Sequence, residues 1–175
     1  MPRNKNPLSM EYVILGFVAQ GPIHGYDLHK KIGDRQGIGL IWRIKQSYLY
    51  AILDKLEKDG LLVSKTLSCD TFPARKEFKI TELGRRNFSA WLTNPVQHGR
   101  DMRQEFLAKL FFILDDNSGL KHNLIQEQIG VCSEWIAKLE EEDLEQSNQF
   151  AYTRVILKYR ISQIQAMLDW LKEIE

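Results

Sequence analysis

Between Lys45 and Gly60 the residues Leu49, Ile52, Leu53 and Leu56 recur at i, i+3, i+4 and i+7. That spacing predicts a helix with one buried stripe, with Ser47, Ala51, Asp54 and Lys58 left on the other face. Gly60 is placed to end it. The period then changes. Leu61 to Leu67 mixes branched apolar residues with Ser and Thr, and Lys76 to Ile80 alternates so that Phe78 and Ile80 share a face. This predicts two strands joined by a polar loop, Ser68 to Arg75, which contains Pro73.

The flanking segments follow the same logic. Leu8 to Gln20 is apolar nearly all round, as a helix buried in a core or between protomers would be, and Gly21-Pro22 stops it. Ile23 to Asp34 predicts a second helix with Leu28 and Ile32 inward and Asp27 in the first turn, where the helix dipole favours a carboxylate. Leu40 to Trp42, short and preceded by glycines, reads as a strand that could pair with the hairpin. Thr81 is a good N-cap for a helix from Glu82 to about Leu92, with Phe88, Trp91 and Leu92 on one face. A helix, a turn, a second helix and a hairpin with a basic end are the layout of a winged helix, in which the second helix enters a DNA groove.

Beyond Leu92, Thr93 to Arg100 reads as a linker and Arg103 to Leu114 as an apolar helix packed between two halves. Two long helices follow, about Leu120 to Glu145 and Asn148 to Ile174. Ile125, Ile129, Cys132, Ile136 and Leu139 step by 4, 3, 4, 3, and Leu157, Ile161, Ile164, Leu168 and Leu171 do the same, which is the seam of a coiled-coil-like pair. Leu124, Val131 and Trp135 lie beside the first seam, and Ile156, Met167, Trp170 and Ile174 beside the second. A second chain would cover them, so a homodimer is expected. Its dimerisation residues are taken as Leu124, Val131, Trp135, Leu157, Ile161, Ile164, Leu168 and Leu171.

The expected fold is therefore mainly α with a small β-hairpin. A winged helix-turn-helix domain occupies residues 1–95 and a helical, coiled-coil-like dimerisation domain residues 96–175. Charge sharpens that division. The 175-residue chain has a net charge of only +1, but residues 1–95 carry 15 Lys and Arg against 9 Asp and Glu, whereas residues 96–175 carry 9 against 14. The basic half is the one that would meet nucleic acid.

Other chemistry finds little support. Cys69 and Cys132 have no metal-ligand spacing around them, and His24, His29, His98 and His122 do not cluster, so neither a metal nor a cofactor is expected. Gly37 and Gly39 supply a GxG with no third glycine and no preceding strand, too little for a nucleotide loop. Ser47 and Ser68 have no histidine partner at a recognisable spacing, so no enzyme is expected. No run is long enough to span a membrane, and the cysteine usage fits a cytoplasmic protein.

These residues resemble the PadR-type transcriptional regulators, in particular longer members with a helical C-terminal domain. The resemblance rests on HGYDLHKKI after the glycine-proline turn, SYLYAILDKLEKDGLL at the recognition helix, PARKEFKITELGRR from wing tip into the next helix, and RQEFLAKLFF opening the second domain. It implies a dimeric winged-helix repressor that binds a near-palindromic operator and is released by a small molecule. Two features depart from the family pattern: Tyr48 stands where small residues are common, and the wing loop is short of glycine.

Phosphate neutralisation supplies most affinity for duplex DNA, and side chains at base edges read its sequence. Lys45, Gln46, Ser47, Tyr48 and Tyr50 at the front of the recognition helix suit those roles. Gln46 is placed to read an adenine, and Tyr50 matches the tyrosine of the family motif, either bonding a phosphate or packing against the preceding helix. Arg75 and Lys76 end the wing. His24 and Tyr26 open the preceding helix, where a phosphate contact is one reading and a cap with a packed ring the other. Asp54 on the same face limits the approach of phosphate. The rival reading is a winged helix for protein contacts, without DNA binding. Trp135, Met167 and Trp170 are the candidates for a pocket that takes an apolar or aromatic effector.

Overall fold

The computed structural model describes residues 9–69, 72–114, 119–146 and 151–175. They fall into two compact units, one reaching to Leu92 with Leu107–Phe112 added, the other formed by Thr93–Phe106 and Ile113–Glu175.

The first unit opens with α1 (Ser9–Ala19), β1 (Ile23–His24) and α2 (Gly25–Ile32). A 3-10 turn at Ile38–Leu40 then leads to α3 (Gln46–Lys58), β2 (Leu62–Cys69), β3 (Phe72–Ile80) and α4 (Glu82–Thr93). Val13, Ile14, Leu15, Phe17 and Val18 of α1 are all buried, as its nearly uniform apolar sequence demands. They meet Leu28 and Ile32 of α2 and the Leu49, Ile52, Leu53 and Leu56 stripe of α3 in one core. Lys55 Nζ donates to Glu11 Oε1 at 2.6 Å, joining α3 to α1. That hydrogen bond to the buried carboxylate holds the ammonium above its usual range. Gly60, at φ +71°, adopts the left-handed conformation that ends α3. Thr81 caps α4, its hydroxyl accepting the Gly84 N–H at 3.0 Å.

The sheet corrects three sequence expectations. Its order is β1-β3-β2, fully antiparallel, with Ile23 opposite Phe78 and His24 opposite Glu77. The strand beside the hairpin is thus the start of the expected second helix, which begins only at Gly25. Leu40–Trp42 is no strand. The Asp34 carbonyl accepts the N–H groups of Gly37 and Gly39, and the Ile38 carbonyl accepts those of Ile41 and Trp42 at 2.9 Å, so the donors a strand would need are used locally. Ile38, fully buried, plugs this turn into the core. The hairpin is also longer than expected, with Leu67 opposite Arg75 and Cys69 opposite Phe72 after a shift in register. Pro73 fits there because β1 pairs only with Glu77 and Phe78, so β3 has a single partner strand at the proline. The loop residues Asp70 and Thr71 lie outside the described residues, as do Leu8, Asn148 and the break at 115–118.

Between the long helices and α4 lie a 3-10 turn at Gly99–Arg103 and α5 (Glu105–Ile113). The middle of α5 belongs to the first unit. There Phe112 packs edge-on against Phe17 and Phe88 at 5.4 and 5.3 Å, and Lys109 Nζ lies 5.1 Å from the Trp91 ring centroid.

The second unit is built on α6 (Leu120–Gln146) and α7 (Ala151–Ile174). Glu175 accepts from Gln126 near the start of α6, so the two helices run antiparallel. Gln128, fully buried, is an amide clip for the preceding segment: its Oε1 accepts the Val96 N–H at 2.8 Å and its Nε2 donates to the Val96 carbonyl at 3.2 Å. Burial pushes the nearby Cys132 thiol up from its ordinary value. Among the described residues no helix is long and apolar enough to cross a membrane, and no group of His, Cys, Asp and Glu could hold a metal ion.

Candidate nucleic-acid interface

α3 separates its two roles by face. Leu49, Ile52, Leu53 and Leu56 are buried, while Lys45, Gln46, Ser47, Tyr48 and Tyr50 are exposed. Lys45 is the extended N-cap residue, and no side chain caps the helix. His29 Nε2 lies 3.0 Å from the Ile44 carbonyl, which fixes the chain leading into α3 against α2. That bond requires the proton on Nε2.

Tyr50 packs against α2, the second of its two alternatives. Its ring lies against Gly25 so closely that a Cβ there would come within 2.8 to 2.9 Å of ring and hydroxyl atoms. The side chain is nevertheless 38% exposed, so it packs on the first residue of α2 and still presents an edge outward. The adjacent Tyr26 is exposed and His24 half-buried. His24 Nδ1 is 3.2 Å from the Lys76 carbonyl, so its ring steadies the wing backbone and leaves Nε2 for an outside partner.

The wing is held by Glu57, a residue the sequence did not single out. Its carboxylate accepts from Ser64 Oγ on β2 at 2.5 Å and from Lys76 Nζ on β3 at 3.3 Å. The Ser64 hydroxyl first, and Lys76 after it, hold the Glu57 carboxyl below the usual carboxylate range. Lys76 is therefore a shared cation, partly committed within the fold. Arg75 is exposed and makes no ion pair among the described residues. Contacts through Gly25, the Lys76 carbonyl and Glu57 thus tie together the start of α2, the helix α3 and the wing, the three elements that carry the nine expected residues. Neither Glu57 nor Gly25 was legible as a partner, because Gly25 lies 25 residues before Tyr50 and Glu57 lies 19 before Lys76.

The second-unit residues separate differently. Leu124, Leu157, Ile164, Leu168 and Leu171 are already covered within the single chain, so they cannot offer new surface to a partner, while Val131, Trp135 and Ile161 are half-buried. On α7 the exposed large apolar residues are instead Tyr152 (77%), Val155 (64%), Ile156 (39%) and Tyr159 (63%), again at i, i+3, i+4 and i+7. Of these the sequence reading named only Ile156, although the spacing was there to be counted. Trp135 and Met167 do line a common cavity of about 900 Å³. Trp170 is not among its walls; it stands edge-on to Phe106 at 6.1 Å.

The model of the family described as "Transcriptional regulator PadR-like family" matches residues 14–90. The "Negative transcriptional regulator PadR" of Bacillus subtilis (strain 168) is 28% identical over 104 residues, 59% of this chain and 56% of the relative, so the match spans little more than half the relative's length. The crystal structure of Bacillus subtilis PadR in complex with operator DNA aligns over 95% of this chain and 97% of that chain, at 22% identity and a TM-score of 0.50. At that identity the likeness is one of fold. The PadR-like regulator BC1756 from Bacillus cereus aligns over 99% of this chain and 100% of that chain, at 23% identity and a TM-score of 0.46.

Proposed function

For a chain whose residues 14–90 match the PadR-like family of transcriptional regulators, we propose a dimeric repressor that binds a near-palindromic operator and is released by a small apolar or aromatic effector. The observation that carries the DNA role is the division of α3, whose apolar face is wholly buried while Gln46, Ser47, Tyr48 and Tyr50 stand exposed beside the wing residues Arg75 and Lys76. Gln46 and Ser47 read base edges in the major groove; Lys45, Tyr50 and the open end of α3 hold phosphates; Arg75 lies over the backbone beyond. His24 and Tyr26 approach the same strand from the start of α2.

The dimer reading rests on the exposed α7 stripe and on the demands of a near-palindrome. Two recognition helices must present themselves about 34 Å apart to read half-sites one turn apart. An effector that favours one dimer geometry over another changes that spacing and so the affinity for DNA.

The test is a fluorescence-anisotropy titration with promoter and scrambled duplexes at two salt concentrations. Tight, promoter-selective binding that weakens with salt is expected. Arg75→Gln should reduce the slope of log affinity against log salt by about one unit without changing the preferred sequence. Binding to neither duplex at low salt would overturn the assignment in favour of a protein-contact module.

A further inference from the structure

The second unit contains a cavity of about 900 Å³ whose walls divide sharply by chemistry. Trp135 and Leu139 of α6 and Ile164 and Met167 of α7 supply an apolar floor. Around it stand four permanent cations, Arg100, Arg103, Lys138 and Arg160, against one carboxylate, Glu142. Arg100 is drawn toward Asp101 at 3.6 Å, but Arg103, Lys138 and Arg160 make no ion pair among the described residues. This excess of positive charge occurs in the half of the chain that is acidic overall, with 9 Lys and Arg against 14 Asp and Glu over residues 96–175.

One wall is anchored rather than loose. The Gln128 clip fixes Val96 from both its N–H and its carbonyl, which sets the course of the next residues, Gln97 to Arg100, along the cavity. Gly99 lies against the Trp135 indole, where a Cβ would sit 3.9 Å from Cζ3, ordinary contact distance. Gly99 and the indole thus adjoin each other in the cavity wall. Its volume lies near the upper end of the roughly 300–1,000 Å³ found for sites that take drug-sized ligands. It is far larger than a single-ring molecule needs.

We infer that this cavity binds an extended amphipathic organic anion: a multi-ring or long-chain body against Trp135, Leu139, Ile164 and Met167, with a carboxylate or sulfonate head held by Arg103, Lys138 and Arg160. The guanidinium groups can bond such a head in a planar, bidentate way, and the apolar body loses water as it enters. A neutral molecule of the same shape gains only the second contribution. A cation meets three unpaired positive groups. The site thereby selects by charge as well as by shape. Its use as a regulatory site rests on the effector reading above, but its ligand class follows from the cavity itself.

Anilinonaphthalene sulfonate and its uncharged counterpart N-phenylnaphthylamine separate the two contributions, since they share rings and differ in the anionic group. Titrated into the full-length protein, the sulfonate should bind about tenfold more tightly than the neutral probe, with energy transfer from tryptophan that Trp135→Phe diminishes. Arg103→Gln combined with Arg160→Gln changes two exposed side chains, and circular dichroism should show the fold intact. That variant should lose most of the preference for the sulfonate while binding the neutral probe as before. Equal affinity for the two probes, or an unchanged preference in the double variant, would overturn the inference. A second arm adds the sulfonate to the protein–promoter complex. Release of DNA supports both readings; site-specific binding without release supports the anion site and overturns its regulatory use.

Discussion

α3 and α7 are both amphipathic helices with a buried seam, complete on α3 and interrupted on α7 by the half-buried Ile161, and they differ in what the opposite face carries. On α3 that face is Gln46, Ser47, Tyr50 and Asp54, groups that water satisfies until a polar polymer replaces it. On the first half of α7 it is Tyr152, Val155, Ile156 and Tyr159, whose exposed apolar area water serves poorly, at about 25 cal/mol per Å². A helix face left polar is suited to reading a charged groove. One left apolar is suited to a second protein surface, which in the proposed dimer is a second copy of the chain.

The most severe way to break this contrast is to charge the α7 stripe. Val155→Glu with Tyr159→Glu alters two exposed residues and should leave helix content unchanged. Light scattering should then report the mass of one chain, and promoter affinity should fall by about 10²–10⁴, since each recognition helix would bind without the other. Unchanged mass and affinity would remove the stripe from any role in association.

A smaller effect is expected from the α3 face, where Tyr50 both packs and points outward. Tyr50→Phe keeps the ring against Gly25 and removes only the hydroxyl, so promoter affinity should fall about tenfold with little change in thermal stability. Gly25→Ala attacks the same ring from behind. Its Cβ would lie 2.8 Å from Tyr50 Cε1, so ring or helix must shift, at roughly 1–3 kcal/mol of stability together with weaker DNA binding. If Gly25→Ala changed neither melting temperature nor affinity, Tyr50 would be a passive side chain with no held position.

How these features reach the sequence also differs. The α3 stripe and the α6–α7 seams were legible because helical period is a local signal repeated over several turns. β1 was not, because it is two residues long and exists only through its pairing with Glu77 and Phe78. Leu40 to Trp42 misled for the same reason, since branched and aromatic residues suit a strand, yet the Gly37 carbonyl takes the Leu40 N–H and the Ile38 carbonyl those of Ile41 and Trp42. In the second unit the period located the buried seam, but a one-dimensional pattern does not say which neighbouring residues the partner helix already covers. The pattern therefore puts Leu124 at an interface although it is buried in one chain, and it does not single out the exposed Tyr152, Val155 and Tyr159. For the DNA face, the exposed residues could be named from position along α3, whereas the groups that hold them came from elements tens of residues away.

The finest test concerns one of those groups. Glu57 sits near the end of α3 and binds both wing strands, through Ser64 and Lys76, so it should set how firmly the wing stays with the recognition helix. Because its carboxyl is held below the usual range, the stabilisation is fully present above the unfolded carboxyl value, about pH 4.3, and is lost as pH falls through the lower folded value. Side-chain exposures of 31% for Glu57 and 49% for Lys76 mean that solvent screens the pair, so the contribution is no more than about 1 kcal/mol. Glu57→Gln should therefore melt slightly below the unsubstituted protein at neutral pH, and the gap should close as pH falls into the acid range. Its effect on DNA should have the opposite sign. Removing a carboxylate beside the wing frees the Lys76 ammonium for phosphate and should steepen the salt dependence of promoter binding by up to about one unit. A steeper salt slope together with lower stability is the signature of a residue that positions the wing by drawing one of its cations inward. A fall in stability with an unchanged slope would leave Glu57 as a brace and Lys76 outside the interface.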